Sequence, residues 1–213
     1  MKKIILILLV IFTLNTQAYS YTMPDIKWDK YFHKKQKAVI PETQNQKSVH
    51  DDAIAFYNTN DIDNAYELLK SIPQNKRTEM DYLLMANIMQ DKDKLSDASI
   101  FLQKALEINP KFYKAYYNLG YIAQSDGKND TAIKYYKKAI RYNRDFAYAY
   151  YNTGICYARK QEFRTAKSYF NRAILRKKDE PDFYYNLAYI YKKLNDNKNA
   201  AKSLTIYNNL TNR

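Results

Sequence analysis

The segments KAYYNLGYIAQ (Lys114–Gln124) and YAYYNTGICYA (Tyr148–Ala158) share one pattern at an offset of 34 residues. At the same offset DFYYNLAYIYK (Asp182–Lys192) follows and MDYLLMANIMQ (Met80–Gln90) precedes. A fixed period of this size is the signature of a solenoid, in which one supersecondary unit stacks on the next. In register the units run 79–112, 113–146, 147–180 and 181–213. Numbering the residues of each unit as columns gives every column one physical character.

Column four is Tyr82, Tyr116, Tyr150 and Tyr184, and column seven is Met85, Leu119, Thr153 and Leu187. Column eight holds only small residues: Ala86, Gly120, Gly154 and Ala188. Column eleven is Met89, Ala123, Tyr157 and Tyr191. Columns four, seven and eleven recur at i, i+3 and i+7, which is one face of a helix. A small residue at column eight lets a second helix approach closely. That second helix carries Ala98, Ala132, Ala166 and Ala200 at column twenty, and Leu102, Tyr136, Phe170 and Leu204 at column twenty-four. Column twenty-seven is Ala105, Ala139 and Ala173, then Tyr207, and Pro110 stands at column thirty-two of the first unit.

This pattern resembles the tetratricopeptide repeat (TPR): an aromatic, Leu, Gly and aromatic on one helix, then Ala, an aromatic and Ala on the next, then Pro. The resemblance implies an all-α fold, a right-handed α-solenoid of antiparallel helix pairs forming a TPR superhelix. It covers a TPR domain over 46–213. A degenerate unit at 46–78 places Ala53, Phe56, Ala65 and Leu69 in the expected columns. There Val49 replaces the column-four aromatic, and Pro73 interrupts the end of the second helix. Terminal repeats face solvent on one side and act as caps, which accounts for a degenerate first unit and for Tyr207 in the last.

Residues 1–20 have the order of a secretory signal peptide: Lys2 and Lys3, an apolar run from Ile4 to Phe12, then small residues at Ala18 and Ser20. The run is too short to span a bilayer, which needs about 20 apolar residues. Cleavage after Ser20 or after Ala18 satisfies the rule, with an uncleaved anchor as the alternative. Residues 21–45 read as a basic, aromatic linker, with Trp28 and Phe32 spaced for one helical face. The expected location is therefore exported, periplasmic or secreted.

The chain carries a net charge of +13, and losing Lys2 and Lys3 lowers it by two, to +11. Such an excess favours anionic partners or surfaces. Lys134, Lys137, Lys138 and Arg141 line one second helix, and Arg172, Arg176, Lys177 and Lys178 crowd the end of the next. A solvated outer face is the plain reading of both clusters.

The residues do not assemble into a recognisable catalytic motif. Two histidines, His33 and His50, and a lone Cys156 cannot make a local zinc site. No HExxH, phosphate-binding glycine loop or GxSxG occurs. Asp179 and Glu180 fall in a turn between units without an evident pocket, and Cys156 reads as a partly buried apolar residue. The chain is expected to be non-catalytic and to use no cofactor or metal.

In the family, first helices line a concave groove through columns two, five, nine, twelve and thirteen. The resemblance carries this role to Lys114, Tyr117, Tyr121 and Gln124, and to Tyr148, Tyr151, Ile155 and Arg159. In the last unit it carries it to Asp182, Tyr185, Tyr189, Lys192 and Lys193. Columns five and nine are expected to be exposed, with Tyr116, Tyr150 and Tyr184 packed between helices. Tyrosine offers large contact area with few rotatable bonds and a hydroxyl. The family's clamp for a C-terminal carboxylate is incomplete, because Leu83, Tyr148 and Asn152 stand where cations are needed. Asn118, Asn152 and Asn186 at column six are common in the family and not diagnostic.

The leading expectation is an exported scaffold that binds a protein or peptide in the cell envelope, with nucleic acid not the expected partner. The alternatives are a binder of an anionic envelope polymer, glycan or lipid surface, and an accessory subunit of an envelope enzyme. N-terminal sequencing of protein from its host is expected to read from near Tyr21, and recovery of intact Met1 in the cytosol would refute export.

Overall fold

The computed structural model describes residues 49–212. The signal-peptide reading, the 21–45 segment with Trp28 and His33, residues 46–48 and Arg213 lie outside the described residues. Ten α-helices are described, with no strand among the described residues. They are α1 Val49–Asn58, α2 Ile62–Ser71, α3 Glu79–Asp91, α4 Leu95–Ile108 and α5 Tyr113–Ser125. They continue as α6 Asn129–Tyr142, α7 Ala147–Arg159, α8 Phe163–Arg176, α9 Pro181–Lys193 and α10 Asn197–Thr211. A 3₁₀ turn, Gln74–Lys76, lies between α2 and α3. Each odd-numbered helix pairs with the even-numbered helix after it, and each pair packs on its neighbours in sequence. The protein is a helical solenoid whose units are the sequence repeats.

Closure between the two helices of a unit is local. Column fifteen has positive φ in all five units, at Asn60, Asp93, Gly127, Gln161 and Asn195. This is the left-handed residue that ends a helix, a site where glycine or asparagine avoids a steric penalty. Two bonds follow each time. The column-sixteen N–H reaches the column-eleven carbonyl, as in Lys128 to Ala123 at 2.9 Å and Glu162 to Tyr157 at 2.9 Å. The column-fifteen N–H reaches column twelve, as in Gly127 to Gln124 at 3.0 Å. These bonds satisfy carbonyls that the helix end would otherwise leave unpaired.

Columns eight and twenty-four exchange volume. A Cβ added to Gly120 would stand 2.6 Å from the Tyr136 ring, and one added to Gly154 would stand 2.9 Å from the Phe170 ring. Where column eight is Ala, at Ala86 and Ala188, column twenty-four is the smaller Leu102 or Leu204. Small against aromatic and alanine against leucine keep the summed side-chain volume at this contact similar across units. Ala132 and Ala166 are fully buried beside these contacts.

The ends differ from the middle as their sequences require. α2 stops at Ser71, two residues before Pro73. α3 opens with a capping box between Thr78 and Asp81, and Asp81 also meets His50 of α1. In the last described unit Tyr207 takes column twenty-seven, where the three preceding units have alanine, and its ring lies 5.2 Å from that of Tyr185.

Gly154→Ala is expected to destabilise by about 1–3 kcal/mol through overpacking against Phe170. Adding Phe170→Leu recreates the alanine–leucine pair of the outer units. In urea denaturation the double variant should lose less than the sum of the two single losses. Simple addition of those losses would refute the volume exchange.

Candidate functional site

The first helices of the last three units bring the predicted residues to one side, but at two depths. Lys114, Tyr121, Tyr148, Asp182, Tyr185 and Tyr189 are partly exposed, and Arg159, Lys192 and Lys193 are exposed. Gln124, Tyr151 and Ile155 are buried, with Tyr151 only 3 % exposed. The expected exposure is thus corrected at Tyr151 in column five and at Ile155 in column nine, while Tyr117 and Tyr185 are partly exposed. Tyr151 packs on Phe170 and Phe183, with ring centroids 5.6 and 4.6 Å apart. Tyr117 packs in the same way on Tyr136 and Phe146, at 5.6 and 4.9 Å. In each case the ring joins the second helix of its own unit to an aromatic residue at the junction with the next. Column four also differs from expectation, since Tyr150 is buried while Tyr116 and Tyr184 are half-buried.

The buried rings keep their hydroxyls satisfied through column six. Asn152 Nδ2 donates to the Tyr117 hydroxyl at 2.9 Å, and Asn186 Nδ2 donates to the Tyr151 hydroxyl at 2.5 Å. In the preceding unit column five is Leu83, so Asn118 Nδ2 donates instead to Asn87 Oδ1 at 3.0 Å. One side-chain ladder therefore stitches four consecutive units together beneath the exposed face. Burial raises the pKa of both hydroxyls well above the usual tyrosine value, so they are protonated donors and acceptors. Gln124 serves the same core. Its Oε1 accepts from the Tyr136 hydroxyl at 2.7 Å, and its backbone carbonyl accepts from Arg159 Nη1 at 3.2 Å.

Glu180 departs most from the sequence reading. Column thirty-four is Phe112 and Phe146 in the two preceding units, yet here it is a glutamate only 2 % exposed. The Tyr148 hydroxyl donates to Glu180 Oε2 at 2.7 Å, and Lys177 Nζ meets both, at 2.7 Å to Tyr148 and 2.9 Å to Glu180. Burial pushes the Tyr148 hydroxyl up to about 12. Phe183, fully buried three residues on, supplies an aromatic ring at this junction. Lys177 is thus tied to this buried cluster, whereas the sequence placed it among outward cations.

Cys156 is fully buried rather than partly so, and burial pushes its thiol up to about 12. Among the described residues, no group of three His, Cys, Asp or Glu side chains could hold a metal ion. No described helix is long and apolar enough to cross a membrane.

The outward cations of column twenty-six lie over the column-four rings of their own units. Lys104 sits 5.8 Å from the Tyr82 centroid, Lys138 5.1 Å from Tyr116 and Arg172 4.7 Å from Tyr150. Contacts of this kind are worth about 0.5–1 kcal/mol each at exposed sites.

Family profiles for the tetratricopeptide repeat match residues 101–134, 148–176 and 181–205, and a TPR repeat profile matches 124–161. The residues so matched are tetratricopeptide repeats. Among curated proteins none matches in sequence. Solved structures of MamA are similar in fold. A crystal structure of MamA shares 21 % identity over 75 % of this chain and 94 % of that one, with a TM-score of 0.66. MamA residues 41 to the end from Desulfovibrio magneticus RS-1 share 17 % identity over 77 % and 93 %, with a TM-score of 0.67. At these identities the likeness is one of fold.

Tyr151→Ala is expected to cost about 3–5 kcal/mol of stability as a buried aromatic. Asn152→Ala should cost about 1–3 kcal/mol by leaving the Tyr117 hydroxyl unpaired. Lys193→Ala, at an exposed site, should stay within about 0.5 kcal/mol. Chemical denaturation ranks the three, and equal losses would refute the two-depth arrangement.

Proposed function

We propose that this protein is a non-catalytic scaffold that holds a protein or peptide partner against the first-helix face of its last three repeats. The observation that carries this reading is the repeated presentation of tyrosine and cation on a face fixed from beneath. Lys114 and Tyr121 occupy one unit, Tyr148 and Arg159 the next, and Tyr185, Tyr189, Lys192 and Lys193 the last. The asparagine ladder holds these units in register, so side-chain positions vary little and less ordering entropy is lost on binding. The tyrosines supply anchoring area and hydroxyls. The cations favour a partner with acidic groups and chiefly raise the association rate. Tetratricopeptide repeats support the reading at the level of protein interaction. Placement in the cell envelope rests on the order of residues 1–20 alone.

A photo-crosslinking amino acid replacing Tyr121 or Tyr189 in the native host tests the assignment. Both positions are expected to yield the same discrete adduct, absent when the crosslinker replaces Ser168 on the exposed side of α8. An adduct from position 168 alone, or none from 121 and 189, would overturn it.

A further inference from the structure

The even-numbered helices of the last three repeats share a face that the partner reading leaves unused. α8 buries Ala166, Phe170 and Ala173. The opposite side of the same helix carries Arg164, Ser168, Asn171, Arg172 and Leu175, all exposed. Leu175 is 70 % exposed, the most exposed large apolar side chain among the described residues. The equivalent columns of α6 are Asp130, Lys134, Lys137, Lys138 and Arg141, and α10 adds Lys198 and Lys202. α8 and α10 contain no acidic residue.

The single acid of α6 is already neutralised. Asp130 pairs with Lys160 of the following unit at 2.6 Å, and the hydrogen bond and charge of that lysine hold its carboxyl below the usual range. Among the described residues, none of Lys134, Lys137, Lys138, Arg141, Arg164, Arg172, Lys198 and Lys202 forms an ion pair. Several are held in place by rings. Lys138 lies over Tyr116, Arg172 over Tyr150, and Arg176 over Tyr150 at 4.0 Å. Tyr157 joins the two helices, with Lys137 over its ring at 5.7 Å and Tyr169 stacked on it at 5.4 Å. The face ends at α4, whose matching columns are Ser96, Ile100, Gln103, Lys104 and Glu107.

We propose that the outer columns of α6, α8 and α10 dock on an anionic lipid membrane, with Leu175 seated among the headgroups. Unpaired lysines and arginines are drawn to the negative surface potential of anionic lipids. A highly exposed apolar side chain on a cationic helix gains by entering the interface, as on amphipathic surface helices. A dissolved polyanion would engage the cations and leave Leu175 in water. The leucine therefore selects a membrane over a soluble polymer.

Sedimentation of the full chain with vesicles tests the proposal. Vesicles of phosphatidylglycerol and phosphatidylcholine should bind it at 0.1 M salt, while phosphatidylcholine alone should not, and 0.5 M salt should release it, since surface charge is screened over a few ångströms there. The triple change Lys134→Glu, Lys137→Glu, Lys138→Glu should lower vesicle binding at least ten-fold, and the charge-neutral Leu175→Ser at least three-fold. Thermal melting should confirm that both variants fold. Inorganic polyphosphate should bind the Leu175→Ser chain as it binds the parent. Failure to bind anionic vesicles, or binding that survives both sets of changes, would overturn the proposal. Equal sensitivity of polyphosphate binding to Leu175→Ser would overturn the role of the leucine. Crosslinking from positions 121 and 189 should be unchanged in both variants, so the two readings fail separately.

Discussion

The distance between the two helices of each repeat governs the rest of the structure. Where Gly120 faces Tyr136 and Gly154 faces Phe170, an aromatic ring lies against bare backbone with no room for a methyl group. Because the contact keeps a similar volume from unit to unit, equivalent columns recur at equivalent places along successive units. The column-five rings then reach an aromatic at the next junction, and the column-six asparagines arrive within hydrogen-bonding distance of their hydroxyls. A recurring helix contact is thus turned into a recurring stacking of units. Dense interiors permit little else, since a misplaced methylene is felt at once.

Much of this was legible in the residues. The 34-residue period, the small column eight and the alanines at columns twenty and twenty-seven dictate antiparallel helix pairs, and the described residues form them. Depth on the first helix was harder to read. Adjacent tyrosines at columns four and five are identical in type, so sequence alone cannot say that Tyr150 and Tyr151 are both buried while their counterparts in the neighbouring units are half-buried. The aromatic contacts of column five at the unit junction span some thirty residues of chain. Column six gave a usable signal in the recurrence of Asn118, Asn152 and Asn186, although a common residue does not announce its hydrogen-bond partner. Glu180 was hidden by its position in a turn, where exposure is the ordinary expectation. Its replacement of the phenylalanine at Phe112 and Phe146 was the available clue. Column fifteen showed itself only through Gly127, because Asn60, Asp93, Gln161 and Asn195 adopt the same left-handed conformation without being glycine.

The two faces of the solenoid use the same residue types in opposite ways. On the first helices tyrosine is both foundation and surface, with Tyr117 and Tyr151 beneath and Tyr121, Tyr148 and Tyr189 above. On the other face cations of the second helices lie over column-four rings of the first, so that arginine and lysine meet solvent while their stems cover aromatic surface. Tyrosine abundance therefore reflects no single task.

The local closure of every repeat bears on how the chain reaches this state. Each turn is sealed by bonds spanning three and five residues, and each helix packs chiefly on its neighbours in sequence. Few contacts require distant segments to find each other, so little loop entropy is lost before contacts form, and chains of such low contact order fold fast. In a quasi-one-dimensional array ordering can begin at any unit and spread to its neighbours. A few adjacent repeats can therefore order together without waiting for distant segments, leaving little time for apolar surface to meet the wrong partner.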